Sequence, residues 1–209
     1  MEAKILLAFT CLALAACSNE ESSSTARAPA ASAAVEIAAQ STSTALRADA
    51  AVAVQRFGRQ LQGELQQAMA EGGPLQAVAV CHLRAPAIAD ELSEETGFQL
   101  ARVSLKHRNP ERGQPSDWQR RVLESFDRRL AAGTSAGELA FSSTAEGEYR
   151  FMKAIPTAPL CLTCHGTAIE PRLQAELTAL YPQDLATGYQ AGELRGAFVA
   201  LRTVDGAKP

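Results

Sequence analysis

Apolar residues recur at helical spacing from Ala50 to Glu71: Val54, Phe57, Leu61, Leu65, Ala68 and Met69 fall three and four apart, which predicts an amphipathic helix. Gly72-Gly73 predicts its end. Pro74 suits the first turn of a second helix running to about Thr96, with Gly97 as its stop. Pro86, inside that second helix, predicts a kink. Leu100 to Leu105 reads as a short strand, and Asn109-Pro110 with Gly113-Gln114-Pro115 marks a loop. A helix opens at Ser116-Asp117-Trp118 and closes near Gly133, with Trp118, Val122, Phe126 and Leu130 on its apolar side. Glu138 to Thr144 and Glu148 to Ile155 are predicted strands around a hairpin turn at Glu146-Gly147. Arg195 to Thr203 is a last strand, with Ala197, Val199 and Leu201 on one face. Helices followed by a small antiparallel sheet predict an α+β fold rather than a parallel doubly wound one.

The N-terminus carries a different pattern. Met1-Glu2-Ala3-Lys4 leads into an apolar run from Ile5 to Ala16, too short for the roughly 20 residues that span a bilayer. A short charged start, a short apolar core and small residues describe an export signal. Leu14-Ala15-Ala16-Cys17 resembles the lipobox of bacterial lipoproteins, which implies cleavage before Cys17 and its diacylation; cleavage after Ala16 without lipid is the alternative. Ser18 after the cysteine, rather than Asp, makes the outer membrane the default destination. From Ser18 to Asp49 the chain is rich in Ser, Ala and Thr, a composition that buries too little to offset chain entropy. The expected organisation is a signal peptide over 1–16, a lipidated Cys17 with a flexible linker to 49, and one domain over 50–209. That places the domain on the periplasmic side, tied to a membrane. The net charge of −3, with both signs interspersed, leaves no basic stripe and argues against a nucleic-acid partner.

The cysteines bring in the chemistry. Of five, Cys11 leaves with the signal and Cys17 is the lipid site, so Cys81, Cys161 and Cys164 remain in the domain. An odd count fits a disulfide framework poorly. Cys161-Leu162-Thr163-Cys164-His165 is the spacing of covalent c-type haem attachment. The two thiols add across the haem vinyl groups, and the adjacent His165 sits beneath the iron. The competing readings make the chain a non-haem binding module on a lipid anchor. One is a Cys161–Cys164 disulfide; the other is a zinc site of Cys81, Cys161, Cys164 and His165.

For the second iron ligand the sequence offers Cys81, His82, His107, Met69 and Met152. At about 100° per residue, Val78, Ala85, Ile88 and Leu92 define an apolar helix face; Cys81 lies roughly 25° from its centre and His82 roughly 75° away. Cys81 therefore points inward and His82 to the margin, though a small buried thiol is often only core. Met69 and Met152 fit core positions, and His107 sits in the cationic loop Lys106-His107-Arg108. That loop, with Arg102 and Arg112, is a candidate to face haem propionates, or else a solvated loop that pairs with nearby carboxylates. Tyr181, Tyr189 and Phe198 are candidates to pack on the porphyrin.

Several separate stretches resemble one known family in the same order. They are Ala79-Val80-Cys81 followed by Ala85-Pro86-Ala87-Ile88-Ala89; Ser104-Leu105-Lys106-His107-Arg108-Asn109-Pro110; Phe151 to Cys161; Tyr181-Pro182; Ala186-Thr187-Gly188-Tyr189; and Leu194-Arg195-Gly196-Ala197-Phe198. Together they resemble the PAS-like haem c domains of cyanobacteria and proteobacteria, over about Phe57 to Leu201. The resemblance implies a PAS-like antiparallel sheet with an N-terminal helical pair, one covalent haem, and iron ligation by Cys81 and His165. His82 directly follows Cys81, so a bis-His site stays open. A thiolate donor would hold the potential low. The expected role is electron transfer with an unidentified redox partner, or redox and gas sensing; an enzyme is the less expected outcome.

Overall fold

The computed structural model describes residues 29–204, with side chains from Gln40 onward. The signal peptide and Cys17 lie outside the described residues. The chain divides into Met1–Ala39 and Gln40–Pro209. In the first of these, Pro29–Ala39 is helical.

Helix α1 spans Pro29–Ala79 and is interrupted at Gly73, whose φ of 70° only glycine adopts freely; Pro74 restarts it. The linker expected up to residue 49 is thus helical from Pro29 onward. The stretch is alanine-rich, and alanine has the highest helix propensity. Leu46 packs on the core, and Arg47 donates to Ser142 Oγ at 2.6 Å. The Ser and Thr content that suggested a tether is outweighed here by alanine and by tertiary contact.

A π-helical turn, Val80–Arg84, follows α1 and leads into α2, Ala85–Thr96. The predicted kink at Pro86 has this form. Pro86 has no N–H for the carbonyl of His82, four residues back, and its ring crowds that carbonyl. The turn widens, and the Ala85 N–H bonds Val80 O, five residues back. Gly97 closes α2 in the left-handed conformation, its N–H on Ser93 O.

Four strands follow: β1 Gln99–Val103, β2 Ala140–Ala145, β3 Glu148–Pro156 and β4 Leu194–Thr203. They form an antiparallel sheet in the order β1-β4-β3-β2, so the fold is α+β as the pattern predicted. Glu146 and Gly147 both take positive φ, the geometry of a two-residue hairpin between β2 and β3. The predicted loop at 109–115 contains a short helix, α3, Pro110–Gly113. Helix α4, Asp117–Ala131, opens with the Ser116 N–H on Gln119 Oε1.

Two elements had no sequence expectation: α5, Leu162–His165, and α6, Pro171–Leu180. The signal for α6 is present in retrospect. Glu170 caps the Arg172 and Leu173 N–H groups, Pro171 opens the first turn, and Leu173, Leu177 and Leu180 keep helical spacing.

Alternation along the strands sends successive residues to opposite faces. Leu100, Phe151 and Ala200 face α1 and α2, meeting Phe57, Ile88 and Leu92. Val103, Met152 and Val199 face α4, meeting Val122, Leu123 and Phe126. A smaller cluster joins Val78 near the end of α1 to Leu173, Leu177 and Tyr181 of α6 and its exit, with Cys164 packed against it.

Candidate functional site

Between the helical pair and the sheet lies a cavity of about 730 Å³. The π turn supplies Cys81 and His82, the turn around α5 supplies Cys161, Cys164 and His165, and all five line that one cavity. The segments are eighty residues apart in sequence. The π turn exists because of Pro86. The α5 turn is held by α6, which packs Leu173 and Leu177 against Val78 next to Cys164.

His165 is fixed by its surroundings. Its Nδ1–H donates to Ala186 O at 2.7 Å, which leaves Nε2 as the ring's lone-pair donor. Burial holds this imidazole well below the usual histidine range, and the cationic Arg195 and Arg108 push it further down. A neutral imidazole with one committed and one free nitrogen has the chemistry of a metal ligand. The Cys164 thiol is pushed up by burial.

A buried ion pair organises this corner. Arg108 Nε meets Asp184 Oδ2 at 2.9 Å, each side chain only 9% exposed. Arg108 Nη2 also donates to Cys164 O at 2.6 Å and to Ala186 O at 3.3 Å. Asp184 Oδ1 accepts from the Ala186 N–H at 2.7 Å. The residue whose carbonyl orients His165 is therefore held at both its N–H and its carbonyl. Tyr189 N–H on His165 O and Gly188 N–H on Gly166 O extend the clasp. This is the structural content of the Ala186-Thr187-Gly188-Tyr189 motif.

Across the cavity, His82 Nδ1 and Tyr181 Oη lie 3.1 Å apart, with the rings edge to face. The Tyr181 hydroxyl is pushed up to about 12, by burial first and then by the nearby Cys81. The helical-wheel ranking of Cys81 over His82 assumed an α-helix. The observed π turn changes the angle per residue, and it brings both side chains to the cavity at intermediate burial. Geometry alone leaves both available.

The other expected residues divide. Met69 lines the cavity, whereas Met152 is fully buried on the α4 side of the sheet. His107, Arg102, Arg108 and Arg112 line the cavity; Lys106 lies over the Tyr189 ring at 4.9 Å. Of the aromatics, Tyr181 lines the cavity, Tyr189 meets His165 edge on, and Phe198 packs on Phe57. Arg195 also lines the cavity, a residue that the charge pattern did not single out because it lies within a strand. Cys81, Cys161 and Cys164 are free thiols, so no Cys161–Cys164 disulfide is formed. Among the described residues, no group of three or more His, Cys, Asp or Glu stands where it could hold a metal ion, so the four-residue zinc set is not assembled. No helix among the described residues is long and apolar enough to cross a membrane.

Residues 20–201 match the model of the Tll0287-like family. No curated protein matches the chain. Among solved structures, the crystal structure of the cyanobacterial heme-protein Tll0287 aligns with a TM-score of 0.57 at 22% identity, over 76% of this chain and 94% of that one. At that identity the likeness shows a shared fold.

Proposed function

Because the chain belongs to the Tll0287-like family, we propose that it is an exported c-type cytochrome carrying one covalent haem. The observation that carries the reading is the meeting of Cys161, Cys164 and His165 with Cys81 on one cavity. The residues fit the group. Cys161 and Cys164 are free thiols on a single turn, and His165 Nε2 is the free nitrogen of a neutral imidazole. The walls include Phe57, Leu61, Ala77, Val78 and Leu177, an apolar lining suited to a flat macrocycle. A solved structure of the same fold is that of a heme-protein, and we propose the same cofactor for this chain.

Bound haem supplies a one-electron couple. The chain's residues do the rest. Cys161 and Cys164 hold the group by thioether bonds, His165 binds the iron, and Cys81 is its partner ligand, with His82 as the alternative. The Ala186 carbonyl keeps the His165 ring in one orientation. An anionic sulfur ligand in a largely apolar cavity favours the ferric state and a low potential. Two protein ligands leave no open coordination position, so the role that follows is electron transfer to a redox partner. A second reading, redox or gas sensing, is favoured by one observation. Two donors, Cys81 and His82, sit side by side on a π turn and both line the cavity, so either could serve and the two could exchange. Cys17 as a lipid anchor would tie the domain to the periplasmic face of a membrane, by default the outer one.

Three experiments test this. After expression with a c-type maturation system, a denaturing gel stained for haem peroxidase activity should show a band. The Cys161→Ser, Cys164→Ser double variant should lose it entirely; an unstained wild-type band would end the cytochrome reading. Ferric spectra should carry a thiolate signature that Cys81→Ala abolishes and His82→Ala keeps; the reverse pattern gives the ligand role to His82. A carbon monoxide difference spectrum of the reduced protein separates carrier from sensor, since only an iron that has released a ligand binds the gas.

A further inference from the structure

Two guanidinium groups on the cavity have no carboxylate partner among the described residues, Arg102 and Arg195. Their neighbours on the same cavity are neutralised: Arg108 by Asp184 at 2.9 Å, and Arg112 by Asp90 at 3.5 Å. A charge taken out of water is costly unless it is paired and hydrogen-bonded. Arg102 and Arg195, both half-buried, have no opposite charge to offset that cost. Arg102 lies over the Phe57 ring at 6.0 Å, and Arg195 over the Tyr189 ring at 5.3 Å.

The backbone places Arg195 here by a specific device. In the β3–β4 pairing, Ile155 stands opposite Gly196 and Pro156 opposite Leu194, so Arg195 has no partner in the ladder. It is the extra residue of a bulge, and bulges re-aim a side chain relative to the regular alternation. Position 196 must be glycine, because a Cβ there would collide with the Val103 carbonyl oxygen. Ser104 then ties the bulge down: its hydroxyl lies 2.8 Å from Arg195 O and its Oγ accepts from Arg195 Nη1 at 3.2 Å. Arg195 is thus fixed from beneath. Burial disfavours its charged form, and the Arg102 and Arg108 charges add to that, which a bound anion would relieve. The Leu194-Arg195-Gly196 segment is built to hold a cation on the cavity side of the sheet.

The geometry points to Arg102 and Arg195 as a carboxylate clamp, which takes the two propionate groups of a haem seated on the Cys161–His165 turn. The inference rests on the cytochrome reading. Of the residues the sequence offered for this contact it keeps Arg102, adds Arg195 and sets two aside: Arg108 is engaged by Asp184, and Lys106 is over Tyr189 rather than on the cavity. Two unpaired guanidiniums match two carboxylates in number and sign, and an Arg fork suits a planar carboxylate.

The test uses the full chain matured with haem. Arg102→Gln, Arg195→Gln and Arg195→Lys are compared with wild type, and Arg120→Gln, exposed on α4 and off the cavity, serves as control. Haem staining reports covalent attachment, resonance Raman reports the propionate bending band, and potentiometry reports the couple. Covalent haem should be retained throughout. The propionate band should shift in both Gln variants. The ferrous-to-ferric ratio at a fixed poise should fall in each by about tenfold, which is about 59 mV for one electron. Arg195→Lys should recover most of that ratio while leaving the band displaced, since it restores charge but not the fork. Arg120→Gln should change neither. Haem-loaded Arg102→Gln and Arg195→Gln with an unmoved propionate band would overturn the clamp and leave the cytochrome reading standing. A wild type without covalent haem overturns that reading and the clamp together.

Discussion

The two faces of the sheet are covered by helices in different ways. On the α4 face, Val122, Leu123 and Phe126 meet Val103, Met152 and Val199 in a cluster of apolar side chains, with Leu123 and Met152 fully buried. On the opposite face, α1 and α2 cover only part of the sheet. Phe57, Ile88, Leu92 and Phe151 pack together, but beyond them the helices stand away and the cavity opens. Every thiol, imidazole and unpaired guanidinium of the proposed site lies on this second side. The cavity of about 730 Å³ lies on the second face, and the α4 face carries only a smaller groove beside Trp118 and Phe141.

The largest expected effects break the closed face and spare the open one. Leu123→Ala should lower stability by about 3–5 kcal/mol, because this fully buried α4 side chain borders no cavity and its neighbours cannot collapse into the space left behind. Leu61→Ala, which borders the existing cavity, should cost the haem-free chain less, about 2 kcal/mol, mostly the transfer term. Denaturant unfolding of both variants with and without haem checks this. Haem should narrow the gap by giving Leu61 something to pack against; equal losses in the haem-free state would mean the two faces are equally well filled.

The contrast between the faces also separates what the sequence shows from what it hides. The α4 face was legible: Trp118, Val122, Phe126 and Leu130 announce the helix, and alternation with Glu146-Gly147 announces the hairpin it packs on. The donor residues of the open face were legible as a spacing, Cys161 to His165. Its architecture was not. The helical wheel treated Cys81 and His82 as positions on an α-helix, and it could not anticipate that Pro86 opens a π turn and turns both toward one cavity. Arg195 was hidden for the same kind of reason, since alternation assumes a regular strand and Arg195 occupies a bulge. The stretch before Ala50 misled in the other direction, its Ser and Thr content masking an alanine-rich helix. Local pattern reports regular structure well, and this site is assembled where regular structure is interrupted.

A middle-sized effect concerns the corner where the open face is stitched shut. Asp184→Asn removes the counter-charge of Arg108 inside a network that also grips Cys164 O and Ala186. Breaking one partner of a buried pair costs about 3–5 kcal/mol when the other charge is stranded. Here the effect should fall near the lower figure, because Arg108 keeps its two carbonyl acceptors. The change should also loosen the His165 ring. Thermal unfolding gives the stability loss, and a broadened ferric ligand-field signature in the haem-loaded variant would report the ring. A variant that loses stability with an unaltered signature would confine Asp184 to a structural role.

The smallest predicted effect is the most informative about the open face. Tyr181→Phe removes one hydroxyl, the partner of His82 Nδ1 at 3.1 Å, and leaves the ring in its cluster with Leu173 and Leu177. A single hydrogen bond of this kind contributes about 0.5–1.5 kcal/mol, so stability should change little. Its consequence depends on which donor holds the iron. With Cys81 as ligand, His82 is a bystander tethered to Tyr181, and the ferric spectrum of Tyr181→Phe should match wild type. With His82 as ligand, the Tyr181 hydroxyl is its outer partner on Nδ1, and losing it should shift both spectrum and potential. The expected result is an unchanged thiolate spectrum. A shifted one would transfer the ligand role to His82, and it would make the π turn's wider arc the feature that lets the second residue, rather than the first, reach the metal.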